Sequence, residues 1–276
     1  MKNLGFGLGL RTEHYTEILA AKTAGIPLGI DWFEVLTENY LVPGGKPLYY
    51  LDAICAEYPV ALHGVSLSIG SADPLNRDYL QAIKELAKRT QAHWISDHLC
   101  WTGYAGNNMH DLLPLPYTQP VLDHVVSRIL QAQDFLEQPL VLENVSSYIS
   151  YKESTFSEIE FLVEIVKKTD CFLLVDINNI YVSAHNHAFN AHDYIAAIPA
   201  DKVQQMHLAG HSHKEKYIID THDHNITDAV WQLYASAIQH FGLISTIIER
   251  DANIPPLPEL LLELNKARSI AKDQTP

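Results

Sequence analysis

Apolar residues in this chain fall into eight short continuous runs, each followed by a stretch with helical spacing of apolar and polar positions. The runs cover residues 4–10, 30–36, 60–69, 94–101, 140–145, 172–182, 203–209 and 245–251. Runs such as PLVLENV and CFLLVDI are rich in leucine and β-branched residues, as expected of strands buried on both faces of a parallel sheet. Segments 12–24, 48–57, 77–90, 118–136, 155–168, 191–197 and 227–240 read as amphipathic helices, and 258–271 closes the series. Eight strands alternating with eight helices predict an α/β fold, a (β/α)8 TIM barrel. No linker rich in Pro, Gly or Ser and no repeat divides the chain, so residues 1–276 are expected to form a single domain. The Gly-, Asn- and Pro-rich stretch 103–117 is long for a strand-to-helix connection and suits a lid or an ordinary loop. The final KDQTP is expected to fray.

A barrel of this kind carries its active site at the C-terminal ends of the strands. There the chain sets Glu38 and Asn39 after the second run, His63 in the third, and Asp97 and His98 in the fourth. Glu143 and Asn144 follow in the fifth, Asp176, Asn178 and Asn179 in the sixth, His207 in the seventh, Glu249 and Asp251 in the eighth. A charge in a barrel mouth is costly unless paired or bound to a metal. Taken singly, His63 could be a core histidine, and Glu143, Asp176 or Glu249 a member of a structural ion pair. Their repetition on strand after strand points to ions instead.

The stretch 206–225, MHLAGHSHKEKYIIDTHDHN, adds His207, His211, His213, His222 and His224, with Glu215, Asp220 and Asp223 among them. Imidazole and carboxylate without thiol suit zinc, manganese or non-haem iron. In an extended segment Asp220 and His222 point the same way, and so do His222 and His224, so spacing leaves the pair open. About nine candidate ligands exceed the four that one tetrahedral zinc takes, which implies two or three metals with a carboxylate such as Glu143 bridging. Of His185, His187 and His192, at most one is expected to be a ligand; His14, His93, His110, His124 and His240 read as structural. Arg250, beside Glu249, is expected to face away from it.

Composition narrows the partners. Asp and Glu number 33 against 19 Lys and Arg, for a formal charge of −14, which disfavours nucleic acid. No apolar run reaches the ~20 residues that span a bilayer. The start, MKNLGFGLGLRTEHY, makes a poor secretory signal, so a cytoplasmic protein without a membrane partner is expected. Cys55, Cys100 and Cys171 share no ligand-like spacing and read as reduced thiols.

The segments FGLGLR, WFEVLTENYL, LHGVSLSIG, SDHLCW, LENVSSY, LVDINNIYVSAHNH, HLAGHS, DTHDH and IIERD, in this order, resemble the multinuclear non-haem iron-dependent oxidases. The methanobactin-biosynthesis oxidase is the best-known member of that family. The resemblance runs from about Gly5 to the late 260s and implies a triosephosphate-isomerase-type barrel. It implies that His63, His98, Glu143, Asp176, His207 and Glu249 hold a two-iron core. Asn179, Asp220 and His222 would form a third position near His187, which favours Asp220 with His222 over Asp223 with His224. Asp97, Asn144 and Asp251 are further candidates for metal or substrate contact. The implied cofactor is two or three irons of mixed valence, and the implied reaction oxidises cysteine in a ribosomally made precursor peptide with molecular oxygen. A small leader-binding protein is the implied partner.

Two other readings fit the same residues. A divalent-metal sugar isomerase, epimerase or hydrolase of the xylose-isomerase type also sets His, Glu and Asp at strand ends, with zinc or manganese in place of iron. A non-catalytic metal-binding protein would need no open coordination position.

Overall fold

The inward side chains of the barrel repeat with strict period two. At the N-terminal end Leu4, Trp32, Ala61, Trp94, Val141, Leu174 and Ile247 pack as one buried apolar layer. Moving up two residues, or four on Trp94's strand, reaches Glu34, His63, His98, Glu143, Asp176 and Glu249. The same parity runs from Gln205 to His207. The apolar plug and the polar mouth therefore belong to one alternating series, as pleating requires. Residues of the other parity, such as Phe33, Val35, Leu62, Ile95, Leu142, Leu173, Val175, Met206 and Ile248, face the helices and join the larger core.

This architecture comes from a computed structural model that describes residues 2–274. Its barrel strands are β1 (Phe6–Gly9), β2 (Trp32–Leu36), β3 (Val60–Gly64), β4 (Ile95–His98), β5 (Leu140–Glu143), β6 (Phe172–Asp176), β7 (Val203–Leu208) and β8 (Ser245–Ile248). All pair in parallel with their sequence neighbours, and β8 closes on β1 with Gly7 opposite Ile247. Gly7 is required where it stands, because a Cβ there would meet the Trp32 carbonyl at 2.5 Å and its indole at 2.9 Å. The helices are α1 (Tyr15–Thr23), α2 (Lys46–Cys55), α3 (Arg77–Thr90), α4 (Gln119–Leu136), α5 (Glu158–Thr169), α6 (Ile177–His187), α7 (Ala191–Ala197), α8 (Asp228–Phe241) and α9 (Leu257–Gln274). Two helices, α6 and α7, lie between β6 and β7. The single-domain (β/α)8 expectation holds, and no helix among the described residues is long and apolar enough to cross a membrane.

Three local expectations need correction. The run 172–182 is not one strand: β6 ends at Asp176, whose carboxylate accepts the amide of Asn179 at 2.6 Å and caps α6. An N-cap carboxylate stabilises a helix start. Stretch 103–117, expected as a lid or an ordinary loop, is largely an antiparallel hairpin of Trp101–Tyr104 and Asn107–Leu113. Ala105 and Gly106 both take positive φ at its turn, the conformation that suits a tight hairpin, and Asp73 accepts both their amides. Finally, α9 extends through Lys272–Gln274, and of the tail expected to fray Thr275 and Pro276, like Met1 at the start, lie outside the described residues.

The plug and the mouth are tied by polar contacts. Trp94 packs edge-on to Trp32 at 5.2 Å and donates its indole N–H to Gln205 Oε1 at 2.7 Å, while Gln205 Nε2 donates to Glu34. Trp94→Ala should cost about 3–5 kcal/mol in chemical denaturation, the range for a fully buried large aromatic. Loss of under ~1 kcal/mol would mean the plug repacks freely.

Candidate metal centre

Each core histidine of the mouth has one ring nitrogen engaged by the protein and the other turned inward. His98 Nδ1 lies 3.1 Å from the Gly64 carbonyl, which can only accept, so this nitrogen carries the hydrogen and Nε2 is bare. His63 Nδ1 lies 2.9 Å from Ser96 Oγ, whose hydroxyl donates to Leu62 O, giving the same tautomer. Both bare Nε2 atoms approach Glu143 Oε2, at 3.3 and 3.2 Å. His207 is reversed: Nε2 bonds Glu34 at 2.9 Å, and Nδ1 faces Glu249 at 2.8 Å, Asp176 at 3.7 Å and Glu143 at 3.8 Å. A carboxylate or carbonyl behind an imidazole, with a lone pair in front, is the usual support of a metal-binding histidine.

His222 joins from the segment after β7. Its Nε2 lies 2.6 Å from Asp220 Oδ1 and its Nδ1 3.3 Å from both Glu249 Oε2 and Asp251 Oδ2. These are contacts without hydrogen-bond geometry: both nitrogens of His222, Nδ1 of His207, and one oxygen each of Glu143, Asp176 and Glu249 are buried with no hydrogen-bond partner. Buried polar atoms are normally satisfied. Here they converge in four overlapping donor sets: His63, His98 and Glu143; Glu143, Asp176 and His207; Asp176, His222 and Glu249; Glu34, His207 and Glu249. Within each set the donor atoms lie within 4.8 Å of one another. In the last set Glu34 is already bonded to His207 and Gln205, so it reads as the orienting group behind His207.

Charge balance supports the same fit. Glu34, Glu143, Asp176, Asp220 and Glu249 bring five carboxylates together. Against them, Arg11 Nη2 lies 3.8 Å from Glu249 and 2.6 Å from Asp251. Burial pushes Glu143 well above the usual carboxylate range and Asp176 up to about 7. Burial lowers His98 to about 4 and His63 well below its usual value, so both offer a lone pair at neutral pH. His207 and His222 are raised although burial opposes it, chiefly by Glu34 and Glu249 for the first and by Asp220 and Glu249 for the second. Divalent or trivalent cations would replace those protons, and the donor set fits hard or borderline metals.

The remaining candidates are distributed around the rim. Asn179 donates to Glu143 Oε1 at 3.3 Å and keeps its own oxygen buried without a partner. Asn144 bonds both main-chain groups of Asp176, at 2.9 and 3.1 Å, and pins the end of β6. Asp97 accepts from the amides of His98 and Leu67, and burial raises it to about 8. His187 bonds Ser147 at 2.8 Å, apart from the four donor sets. Glu38 accepts from Val65 N and Tyr79. His224 is exposed beside Asp223, so the structure pairs His222 with Asp220, though not through an extended segment: His222 takes a left-handed φ of 47°.

His14, His124 and His240 each bond a backbone carbonyl and belong to none of the four donor sets. Arg250 turns outward to Glu263 at 2.6 Å, and Cys100 is buried. Sequence reading missed Glu34 and Arg11. Glu34 carried a signal, a lone acid inside the apolar run WFEVL.

The mouth encloses about 350 Å³, lined by His63, His98, Glu143, Asn179, Asp220, His222 and Glu249 and roofed by Leu112 of the hairpin. A larger hollow of about 520 Å³ lies at the opposite end between Asp52, Arg89 and His93, and none of the four donor sets draws on its lining.

Residues 5–272 match the family model described as RiPP precursor modification enzyme MbnB/TglH/ChrH. The chain belongs to that family. It is 52% identical over 265 residues to a UPF0276 protein of Caulobacter vibrioides, covering 96% of this chain and 93% of that one. A UPF0276 protein of Anaeromyxobacter sp. is 49% identical over 267 residues, covering 97% and 93%. Solved barrels of similar shape include an L-ribulose 3-epimerase, at TM-score 0.62 and 13% identity over 100% of this chain and 99% of that one. A xylose isomerase domain containing protein from Salmonella typhimurium LT2 matches at TM-score 0.63 and 10% identity over 99% of both chains. At that identity the likeness is one of fold. As a member of the MbnB/TglH/ChrH family the chain is a precursor-modifying enzyme, and its substrate is a ribosomally made peptide.

Proposed function

We propose that this protein is a multinuclear non-haem iron-dependent oxidase that modifies cysteine in its precursor peptide with molecular oxygen. The observation that carries the reading is the set of three imidazoles, His63, His98 and His207, each tied at one nitrogen and turned by the other onto carboxylates. Glu143 would bridge, since Oε2 faces His63 and His98 while Oε1 faces His207. Asp176, His207 and Glu249 would complete the core, and Asn179, Asp220 and His222 a third position. Iron held there would supply the one-electron chemistry with oxygen that removing hydrogen from a thiol-bearing side chain requires.

The protein's own contribution is placement and exclusion. Ser96, Gly64 and Glu34 hold three rings in metal-binding tautomers. The apolar plug closes the barrel below, and Leu36, Val65, Leu112 and Val145 limit water above. A cavity of about 350 Å³ admits one side chain and its immediate backbone, so the rest of the peptide, and a small leader-binding partner, would sit on the rim.

The test uses protein purified from iron-supplied cells and a cysteine-containing peptide encoded beside its gene. Metal analysis should return two or three irons per chain, and mass spectrometry should show oxygen-dependent change at cysteine that mild ascorbate increases. Equal activity with zinc replacing all iron would sink the oxidase reading and favour an isomerase or hydrolase. Tight iron binding with no spectral response to added thiol would favour metal storage.

A further inference from the structure

His211 sits just past β7, 4% exposed, with its ring stacked on Tyr181 of α6 at 5.1 Å and edge-on to His213 at 5.1 Å. It belongs to none of the four donor sets. Its Nδ1 lies 2.8 Å from Asn178 Oδ1, and Asn178 Nδ2 donates to Asp220 Oδ1 at 2.6 Å. The polarity of this chain is fixed from one end. A carboxylate that binds a metal can only accept, so the Asn178 NH2 faces Asp220. The amide oxygen then faces His211, and the imidazole must donate from Nδ1. Nε2 of His211 is left as a bare, buried nitrogen, and it has no hydrogen-bond partner. Asp220 is held a second way, its amide donating to Tyr148 Oη at 3.0 Å.

We infer that Asn178 and His211 are positioning residues for Asp220: the Nδ1–H of His211 locks the Asn178 amide, and that amide aims the Asp220 carboxylate at the third metal position beside His222. This rests on the reading of Asp220 and His222 as metal ligands. Without His211 the Asn178 side chain is free to rotate its oxygen toward Asp220, which would repel the carboxylate rather than hold it. A group behind a metal ligand typically contributes 10–100-fold in affinity. A purely structural histidine on Tyr181 would contribute packing and nothing to metal count.

The experiment combines chelation with nitrogen NMR on the full chain loaded with Zn2+, a diamagnetic probe. His211→Ala should weaken the most loosely held zinc about 10–100-fold while leaving the others bound. His211→Asn, which restores an N–H donor near the Nδ1 position, should recover most of that loss. Asn178→Asp, which turns an acid toward Asp220, should release the same zinc. In the unaltered chain the His211 ring should show a protonated Nδ1 and an unprotonated Nε2. A protonated Nε2 would overturn the proposal, as would His211→Asn behaving no better than His211→Ala. The His222→Ala control separates the levels: loss of the loose zinc there but not in His211→Ala refutes the positioning role alone. Unchanged zinc in both refutes the third metal position itself.

Discussion

Replacing Glu143 by alanine should remove more than one metal per chain. The two oxygens of this carboxylate face different sets of donors, Oε2 toward His63 and His98 and Oε1 toward His207 and Asn179. Deleting it leaves the His63 and His98 pair without its anionic member and takes one of three donors from the Asp176 and His207 set. Two imidazoles alone hold an iron poorly, so both core ions should leave on dialysis. The stability effect should change sign with loading. Glu143 is 1% exposed and burial raises it well above its usual range, so without a cation the folded chain must take up a proton there at neutral pH, which opposes folding. Glu143→Ala should therefore raise the melting temperature of chelator-treated protein and lower that of loaded protein. Full metal occupancy in Glu143→Ala would refute the bridging assignment.

The second large effect concerns order of release. Asp220 and His222 lie on an irregular segment beyond β7, whereas His63, His98, Glu143 and Asp176 lie in hydrogen-bonded barrel strands. Loop ligands lose more conformational entropy on binding, and the Asn179 amide is a weaker donor than carboxylate or imidazole. His222 also holds a left-handed backbone, which costs a non-glycine residue about 1–2 kcal/mol. Its amide bonds Gly210 O and its carbonyl takes the Asp251 amide, so the strain is held in place, not relaxed. Stepwise chelation should remove about one metal of three before the others. His222→Ala should keep the remaining pair and impair turnover. An empty site in His222→Ala, or occupancy equal to the unaltered chain, would show that no separate third position exists.

Much of this centre was legible because pleating turns sequence parity into direction. Once Val141, Leu174 and Ile247 are taken as inward, Glu143, Asp176 and Glu249 follow two residues on with no further information. Glu34 obeys the same rule below Leu36, but lies inside the apolar run WFEVL, whereas Glu38 follows it where strand-end chemistry is expected. Arg11 is a different kind of miss: its partner Asp251 is 240 residues away, and only barrel closure between β1 and β8 brings them together. The start of α6 was hidden because the apolar run continues through it, and an aspartate cap is read from backbone geometry. The choice between Asp220 and His224 was beyond periodicity altogether, since the left-handed turn at His222 breaks the extended spacing on which that reasoning depends.

The alternating barrel wall also divides the molecule's freedom to change. At the mouth of β2 to β7 the inward Glu34, His63, His98, Glu143, Asp176 and His207 are candidate metal donors or their support, above the apolar plug that holds Trp32 and Trp94. On the proposed reading, a substitution there would disturb both metal binding and folding. The hairpin from Trp101 to Leu113 stands outside that series, with Tyr104 and Met109 exposed at its surface and only Leu112 reaching the cavity. On the proposed reading of a peptide lying on the rim, altered sequence preference would accumulate on this appendage while the candidate centre stays fixed. The expectation for an engineer is that hairpin substitutions, unlike those at the strand ends, change peptide preference without loss of metal.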